Sequence, residues 1–266
     1  MLDSNIPWNM VAEGYAATTS KIFEGYAKAA IELTGIHPGS HILDVACGPG
    51  TLSLLAHDKC HSIKAIDFAD QMVSMFQNAI GKRSIDNIEV TCGDAQQLPF
   101  NDNSFDAAYS MFGLMFFPDR YRGYAEIYRT LKPGGEVVIS SWAPVADSPA
   151  LQMMFGAVRA MNPDIPEPQT VIDSLENDAF FKAELEQAGF EQVTVHRVTQ
   201  TYPIESVNGV WDELVRGSAP IAMMKHKLPE ELWKEKETHA LEYLSNALSE
   251  LPTSLTSDAW LAYGVK

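Results

Sequence analysis

Between His41 and Trp142 short apolar runs alternate with helical stretches, and this alternation constrains the fold more than any other feature of the chain. H-I-L-D-V-A begins a first strand and Thr51 to Lys59 a helix. S-I-K-A-I-D at 62–67 reads as a second strand, Asp70 to Ile80 as a helix and Ile88 to Cys92 as a third strand. Ala107 to Met111 makes a fourth, Arg120 to Leu131 the helix after it, and E-V-V-I-S-S-W the fifth behind the K-P-G-G turn. Strands buried on both faces read as continuous apolar runs, and helices between them imply a parallel sheet with right-handed crossovers. The expected class is therefore α/β.

Outside that block the pattern is looser. Apolar spacing from Asn9 to Leu33 predicts one N-terminal helix. A further helix is expected near Leu151 to Met161, another over Asp173 to Ala188, and a sixth strand in E-Q-V-T-V-H-R-V. Val207 to Ser249 reads as two helices around Leu228-Pro229, and A-W-L-A-Y-G-V as the last strand. The economical organisation is a single domain over 1–266, with a helical cap at 1–35 and lid insertions at 143–172 and 207–257.

The 266 residues carry 19 Lys plus Arg against 35 Asp plus Glu, a net charge of −16. A field of that sign disfavours nucleic acid as a partner, because a phosphate backbone binds by charge neutralisation. No run approaches the roughly 20 apolar residues of a membrane span, and no signal-peptide pattern is visible, so the expected location is the cytoplasm. Three cysteines, Cys47, Cys60 and Cys92, read as free thiols.

The chemistry centres on D-V-A-C-G-P-G-T, residues 44–51, where a strand turns into a helix. Ligands of open parallel sheets lie beyond the carboxyl ends of the strands, and glycine lets them approach bare backbone. The loop lacks the third glycine of G-x-G-x-x-G and the G-K-[ST] of a P-loop. Asp44 ahead of it would crowd a phosphate and suits a cationic or zwitterionic ligand. Asp67, 19 positions after Gly48, can accept from both hydroxyls of a ribose. Asp94, in C-G-D-A at the end of the third strand, can accept from an exocyclic amine. The ligand these residues describe is a nucleoside with a charged tail and no phosphate.

These three features, with S-M-F-G-L-M-F-F-P-D after the fourth strand and L-K-P-G-G before the fifth, resemble a class I S-adenosylmethionine-dependent methyltransferase of the small-molecule and quinone-biosynthesis branch. The resemblance implies a Rossmann-like, seven-stranded, mostly parallel sheet of order 3-2-1-4-5-7-6, with helices on both faces and a helical lid. It implies S-adenosylmethionine as cofactor, with S-adenosylhomocysteine as product. Asp44, Ala46, Cys47, Gly48 and Gly50 fall around the methionine part, Asp67 on the ribose, and Phe68 and Met72 beside the adenine. Asp94 and Ala95 fall at the adenine edge, Met111 and Phe116 at the sulfonium end, and Tyr15 on a helix closing over the cofactor.

Methyl transfer by displacement needs no protein nucleophile, and no metal is expected. His57, Cys60 and His61 match no usual zinc spacing. A catalytic group is not identified; His226 is the candidate general base. The expected acceptor is an O, N or C nucleophile on a small apolar molecule, approached through a lid containing Met153, Phe155, Trp211 and Met223. The [DNS]-P-P-[YFW] run of base-methylating relatives is replaced here by S-M-F-G, and the paired-glutamate loop of protein arginine methylases is missing. A homodimer is left open. The alternative functions are a non-catalytic S-adenosylmethionine-binding module and an NAD(P)-dependent oxidoreductase.

Overall fold

The computed structural model describes residues 4–169 and 173–266. Its first strand, β1 (His41–Val45), is wholly buried from Ile42 onward, as both-face coverage requires. β2 (Ser62–Asp67) lies parallel to it on one side and β4 (Phe105–Ser110) on the other, with Ile42 opposite both Ile63 and Ala107. β3 (Ile88–Cys92) extends the sheet beyond β2, and β5 (Leu131–Trp142) extends it beyond β4, both parallel. β7 (Thr253–Val265) runs antiparallel between β5 and β6 (Glu191–Ile204). The order is therefore 3-2-1-4-5-7-6, the expected one.

Period-two alternation divides the core into two layers. Leu43, Val45, Ile66 and Ala108 face α5 (Arg120–Thr130) and α7 (Asp178–Gln187), packing on Ile127, Phe181 and Leu185. Ile42, Ile63, Tyr109 and Val138 face the other way, against Tyr26 and Ala30 of α2 (Thr19–Glu32) and Leu52 of α3 (Thr51–Ala56). On the outer part of the sheet α4 (Asp70–Arg83) buries Phe76 against Ala65 and Cys47. A third apolar cluster joins α6 (Pro149–Met161), α8 (Val207–Gly217), α9 (Ala219–Lys227) and α10 (Glu230–Ala247). There Trp211 and Trp233 stack with centroids 6.1 Å apart, and Trp211 Nε1 donates to Glu237 at 2.8 Å.

The helical regions depart from the sequence reading in three places. The N-terminal helix is two: α1 (Ile6–Ala17) and α2, broken at Thr18, whose φ of −120° and ψ of −69° lie outside the helical region. Thr18 Oγ1 donates back to Gly14 O at 2.8 Å, a local bond that competes with helix continuation. The 207–249 segment holds three helices, because Ser218 is extended and Pro220 restarts the chain in the first turn of α9. The helix expected from Asp173 begins at Asp178, where the Asn177 side chain caps Phe180 N at 2.9 Å. The last three residues of the 143–172 insertion lie outside the described residues.

Candidate active site

The chain leaves β1 through a loop in which Ala46, Gly48 and Gly50 all take positive φ, at 54°, 54° and 87°. Each has a different reason for being small. A Cβ on Gly50 would stand 2.2 Å from the Phe76 ring, so that glycine lets the loop lie on α4. A Cβ on Gly48 would meet nothing within 4 Å, so its bare backbone faces open space. Ala46 accepts the left-handed conformation at about 1 kcal/mol, and its methyl group faces Gly113, where a Cβ would come within 2.4 Å.

Asp67 ties this loop to the next element. One carboxylate oxygen accepts Gly48 N–H at 2.8 Å and the other accepts Ala69 N–H at 2.9 Å. Each oxygen keeps a second lone pair, so the pair can still take two hydroxyl donors. Burial raises the Asp67 carboxyl above its ordinary value, against the pull of these backbone donors. Asp44 lies beneath the loop, 1% exposed. Its Oδ2 accepts Ser53 Oγ at 2.6 Å, while Oδ1 is buried with no hydrogen-bond partner. Burial pushes its carboxyl up to about 7.

Above the loop is a cavity of about 360 Å³, within the range of small-molecule sites. Ala46 and Gly48 line it from the loop after β1, Asp67, Phe68 and Met72 from the β2–α4 junction, and Asp94 and Ala95 from the turn after β3. Met111 and Phe116 line it from the segment after β4, and Tyr15 from α1. Of the expected cofactor residues only Asp44, Cys47 and Gly50 lie outside the lining, and all three are buried. The Cys47 thiol is buried and its proton is held well above the ordinary range, which leaves it without nucleophilic character.

Further residues line the cavity, among them Trp8, Gln96, Phe112, Gly113, Phe117 and Pro118. Trp8 packs edge-on to Phe116 at 5.0 Å. Phe112 has φ of 56°, its N–H held by Ser140 Oγ at 2.8 Å and its ring 4.7 Å from Phe23 and 4.4 Å from Trp142. Its position between Met111 and Gly113 in S-M-F-G was the available signal. Trp8 has none in the sequence, because α1 reaches the cavity only through packing. Val11 and Ala12 seat α1 against Ala69, Met72 and Ala219, and Asn9 Nδ2 donates to Asp70 at 2.6 Å.

Two expectations meet a different placement. The described residues of the insertions 143–172 and 207–257 supply no cavity lining. Met153 and Trp211 fill the helical core instead, Phe155 borders a separate groove beside Tyr243, and α8 and α9 both pack on α1. His226 is exposed on α9, in an open groove with Met10 and Glu13, and does not reach the cavity. No histidine, lysine or arginine is among the lining residues described. Tyr15 is the lining phenol, raised by burial first and by the Asp67 charge second, so it stays a neutral hydroxyl. Asp119 is a helix cap, accepting Arg122 N–H at 3.0 Å. Among the described residues, no three His, Cys, Asp or Glu side chains group so as to hold a metal ion. No described helix is long and apolar enough to cross a membrane.

Comparison with known proteins gives the same setting. Residues 43–139 match the family model described as a methyltransferase domain. A demethylmenaquinone methyltransferase of Renibacterium salmoninarum is 35% identical over 137 residues, covering 50% of this chain and 56% of the relative. The chain spans about half the length of the curated relatives it matches. Among solved structures, the YcgJ protein of a Bacillus has a TM-score of 0.59 at 20% identity, covering 90% of this chain and 97% of its own. The phosphoethanolamine N-methyltransferase 2 of Haemonchus contortus, solved with phosphomonomethylethanolamine and S-adenosylhomocysteine, has a TM-score of 0.55 at 16% identity, covering 91% and 52%. Both structures share the fold. Residues 43–139, which run from within β1 to within β5 and include most of the cavity wall, are thus similar to a methyltransferase domain.

Proposed function

We propose that the protein is an S-adenosylmethionine-dependent methyltransferase acting on a small, mostly apolar molecule. One observation carries the reading: the described cavity lining contains two aspartates and no cationic side chain, with the buried Asp44 behind it. A pyrophosphate would face carboxylates without a counter-charge, whereas a ligand carrying ammonium and sulfonium groups would not. The residues fit such a cofactor on independent grounds. Gly48 offers open backbone, Asp67 has acceptor capacity for two ribose hydroxyls, and Phe68 and Met72 offer faces for a flat base.

When bound, S-adenosylmethionine supplies an electrophilic methyl group on a sulfonium leaving group. Asp67 would hold the ribose, Asp94 the base edge, and the segment Met111 to Phe116 the end at which the acceptor enters. Trp8 and Phe116 cover that end and exclude water, so the chain's contribution is alignment and desolvation. Among the described residues no imidazole lines the cavity as a base, so the acceptor's proton leaves to solvent or the acceptor arrives with a free electron pair. The aromatic lining by Trp8, Phe112, Phe116 and Phe117 supports an apolar acceptor, as does the demethylmenaquinone methyltransferase relative. Free thiols at Cys47, Cys60 and Cys92 support a cytoplasmic setting, and the net charge of −16 argues against nucleic acid as substrate.

Isothermal calorimetry and thermal melting with S-adenosylhomocysteine and NADH test the reading. Binding and a raised melting temperature with S-adenosylhomocysteine are expected. The same response to NADH alone would overturn it. A screen of phenols, quinols and amines for S-adenosylhomocysteine release then identifies the acceptor atom.

A further inference from the structure

One cavity-lining side chain has both ends of its amide engaged by different elements. Gln96 follows β3 in C-G-D-A-Q, and its backbone N–H donates to Asp94 Oδ1 at 2.8 Å, which by itself is ordinary turn chemistry. The side chain does more. Its Nε2 donates to Asp94 Oδ1 at 3.1 Å and Oδ2 at 3.3 Å, while Oε1 accepts Asp119 N–H at 2.9 Å. A backbone N–H can only donate, so Oε1 must face Asp119 and the amide nitrogen must face Asp94. The amide therefore has a single consistent orientation, set by a neighbour from the far side of β4. Asp119 is the N-cap of α5 and directly follows the lining residues Phe117 and Pro118.

Building on the cofactor reading above, we infer that Gln96 is a positioning residue that orients Asp94 and so makes the cavity select a 6-amino over a 6-oxo purine. Asp94 is exposed, and the backbone N–H of residue 96 engages only its Oδ1, which leaves the plane of the carboxylate to be set by the side-chain amide. Two N–H donors from Gln96 hold it in one orientation. A carboxylate has about four acceptor positions, so Asp94 can still accept from an exocyclic amino group. A 6-oxo group would set a carbonyl lone pair against that carboxylate, with no proton between them. Through Oε1 the same amide fixes the start of α5, so the base edge and the Phe116–Pro118 rim are held by one side chain.

Calorimetry with S-adenosylhomocysteine and its 6-oxo counterpart, S-inosylhomocysteine, tests this on the wild type and on Gln96→Met, Gln96→Glu and Asp94→Ala. The wild type should prefer the amino form by about tenfold or more, the scale of one hydrogen bond to a charged acceptor. Gln96→Met should lower that preference to within about threefold of the Asp94→Ala value. Gln96→Glu, whose side chain keeps an acceptor for Asp119 N–H but cannot donate to Asp94, should do the same, although the backbone N–H of residue 96 still donates to Oδ1. It is nearly isosteric, so it separates lost positioning from lost folding. A merely structural Gln96 would change the melting temperature and leave the preference intact. Retention of the wild-type preference in both Gln96 variants, while Asp94→Ala loses it, overturns the inference. So does a wild type that binds both ligands equally. A wild type that binds neither overturns the cofactor reading and this inference with it.

Discussion

Asp44 is the residue whose replacement should separate stability from function most cleanly. Its carboxyl is buried, has one oxygen with no partner, and lies at about 7 instead of its ordinary 3.8. The folded chain therefore holds this proton more tightly than the unfolded chain does. Between about pH 4 and pH 7 the folded state binds more protons, so stability falls as pH rises through that window. At about 1.36 kcal/mol per pH unit, the ionised carboxylate costs the ligand-free protein about 4 kcal/mol by pH 8. Asp44→Asn keeps the shape and removes the charge, although its amide also needs partners that the site only partly provides. A net gain of about 2 kcal/mol at pH 8 is expected, or a melting temperature several degrees higher. The gain should shrink toward pH 5, where the wild-type carboxyl is protonated. In the same variant the affinity for cationic S-adenosylmethionine should drop and lose the rise between pH 6 and 8 expected of the wild type. Differential scanning calorimetry of both proteins from pH 5 to 8, with and without the ligand, measures each quantity. A melting-temperature difference that stays constant over that range would refute the argument, because it would place the Asp44 titration outside the window.

Three other substitutions test separate parts of the structure. Asp67→Ala removes the acceptor for two ribose hydroxyls and should weaken S-adenosylhomocysteine binding about a hundredfold; unchanged affinity in calorimetry would remove Asp67 from the ribose. Gly50→Ala combines a φ of 87° with a Cβ 2.2 Å from Phe76, so a loss of about 3 kcal/mol is expected in urea unfolding, partly recovered by Phe76→Leu. Glu184, 2% exposed, binds Arg120 through two hydrogen bonds of 2.8 and 2.6 Å and accepts Tyr124 Oη at 3.0 Å. Glu184→Gln should cost about 3 kcal/mol with cofactor affinity little changed, because none of Arg120, Tyr124 and Glu184 is among the described lining residues.

What could be read in advance follows from where the physical determinants lie. β1, β2 and β3 were legible because apolar runs between turns are local signals, and Ser62–Asp67 and Ile88–Cys92 have the predicted limits. The place of β7 came from the family resemblance, since no local pattern says which strands a terminal segment will join. The breaks at Thr18 and Ser218 were hidden because their causes are partly tertiary: a Cβ on Gly217 would lie 2.1 Å from Thr19 Oγ1, so the end of α8 presses on the start of α2. In the cavity, the glycine loop and the aspartates at strand ends were visible as punctuation. Trp8 and Gln96 were not, because their roles depend on the packing of α1 and on a contact across to Asp119, and Phe112 was marked only by its place in S-M-F-G. His226 looked suited to chemistry by residue type alone, and α9 holds it at the surface.

The position of β7 bears on how the nascent chain assembles. β5 and β6 are both made before the strand that lies between them, so the edge of β5 at Val137, Val138 and Ile139 has no partner until residues 253–265 are synthesised. An uncovered apolar strand edge invites pairing with other chains. β1 to β4, which carry most of the cavity floor, need nothing from β7 and can pair earlier. During translation, the vulnerable interval thus begins after the strands that carry the ligand cavity have been made and closes when the seventh strand slots between the fifth and sixth.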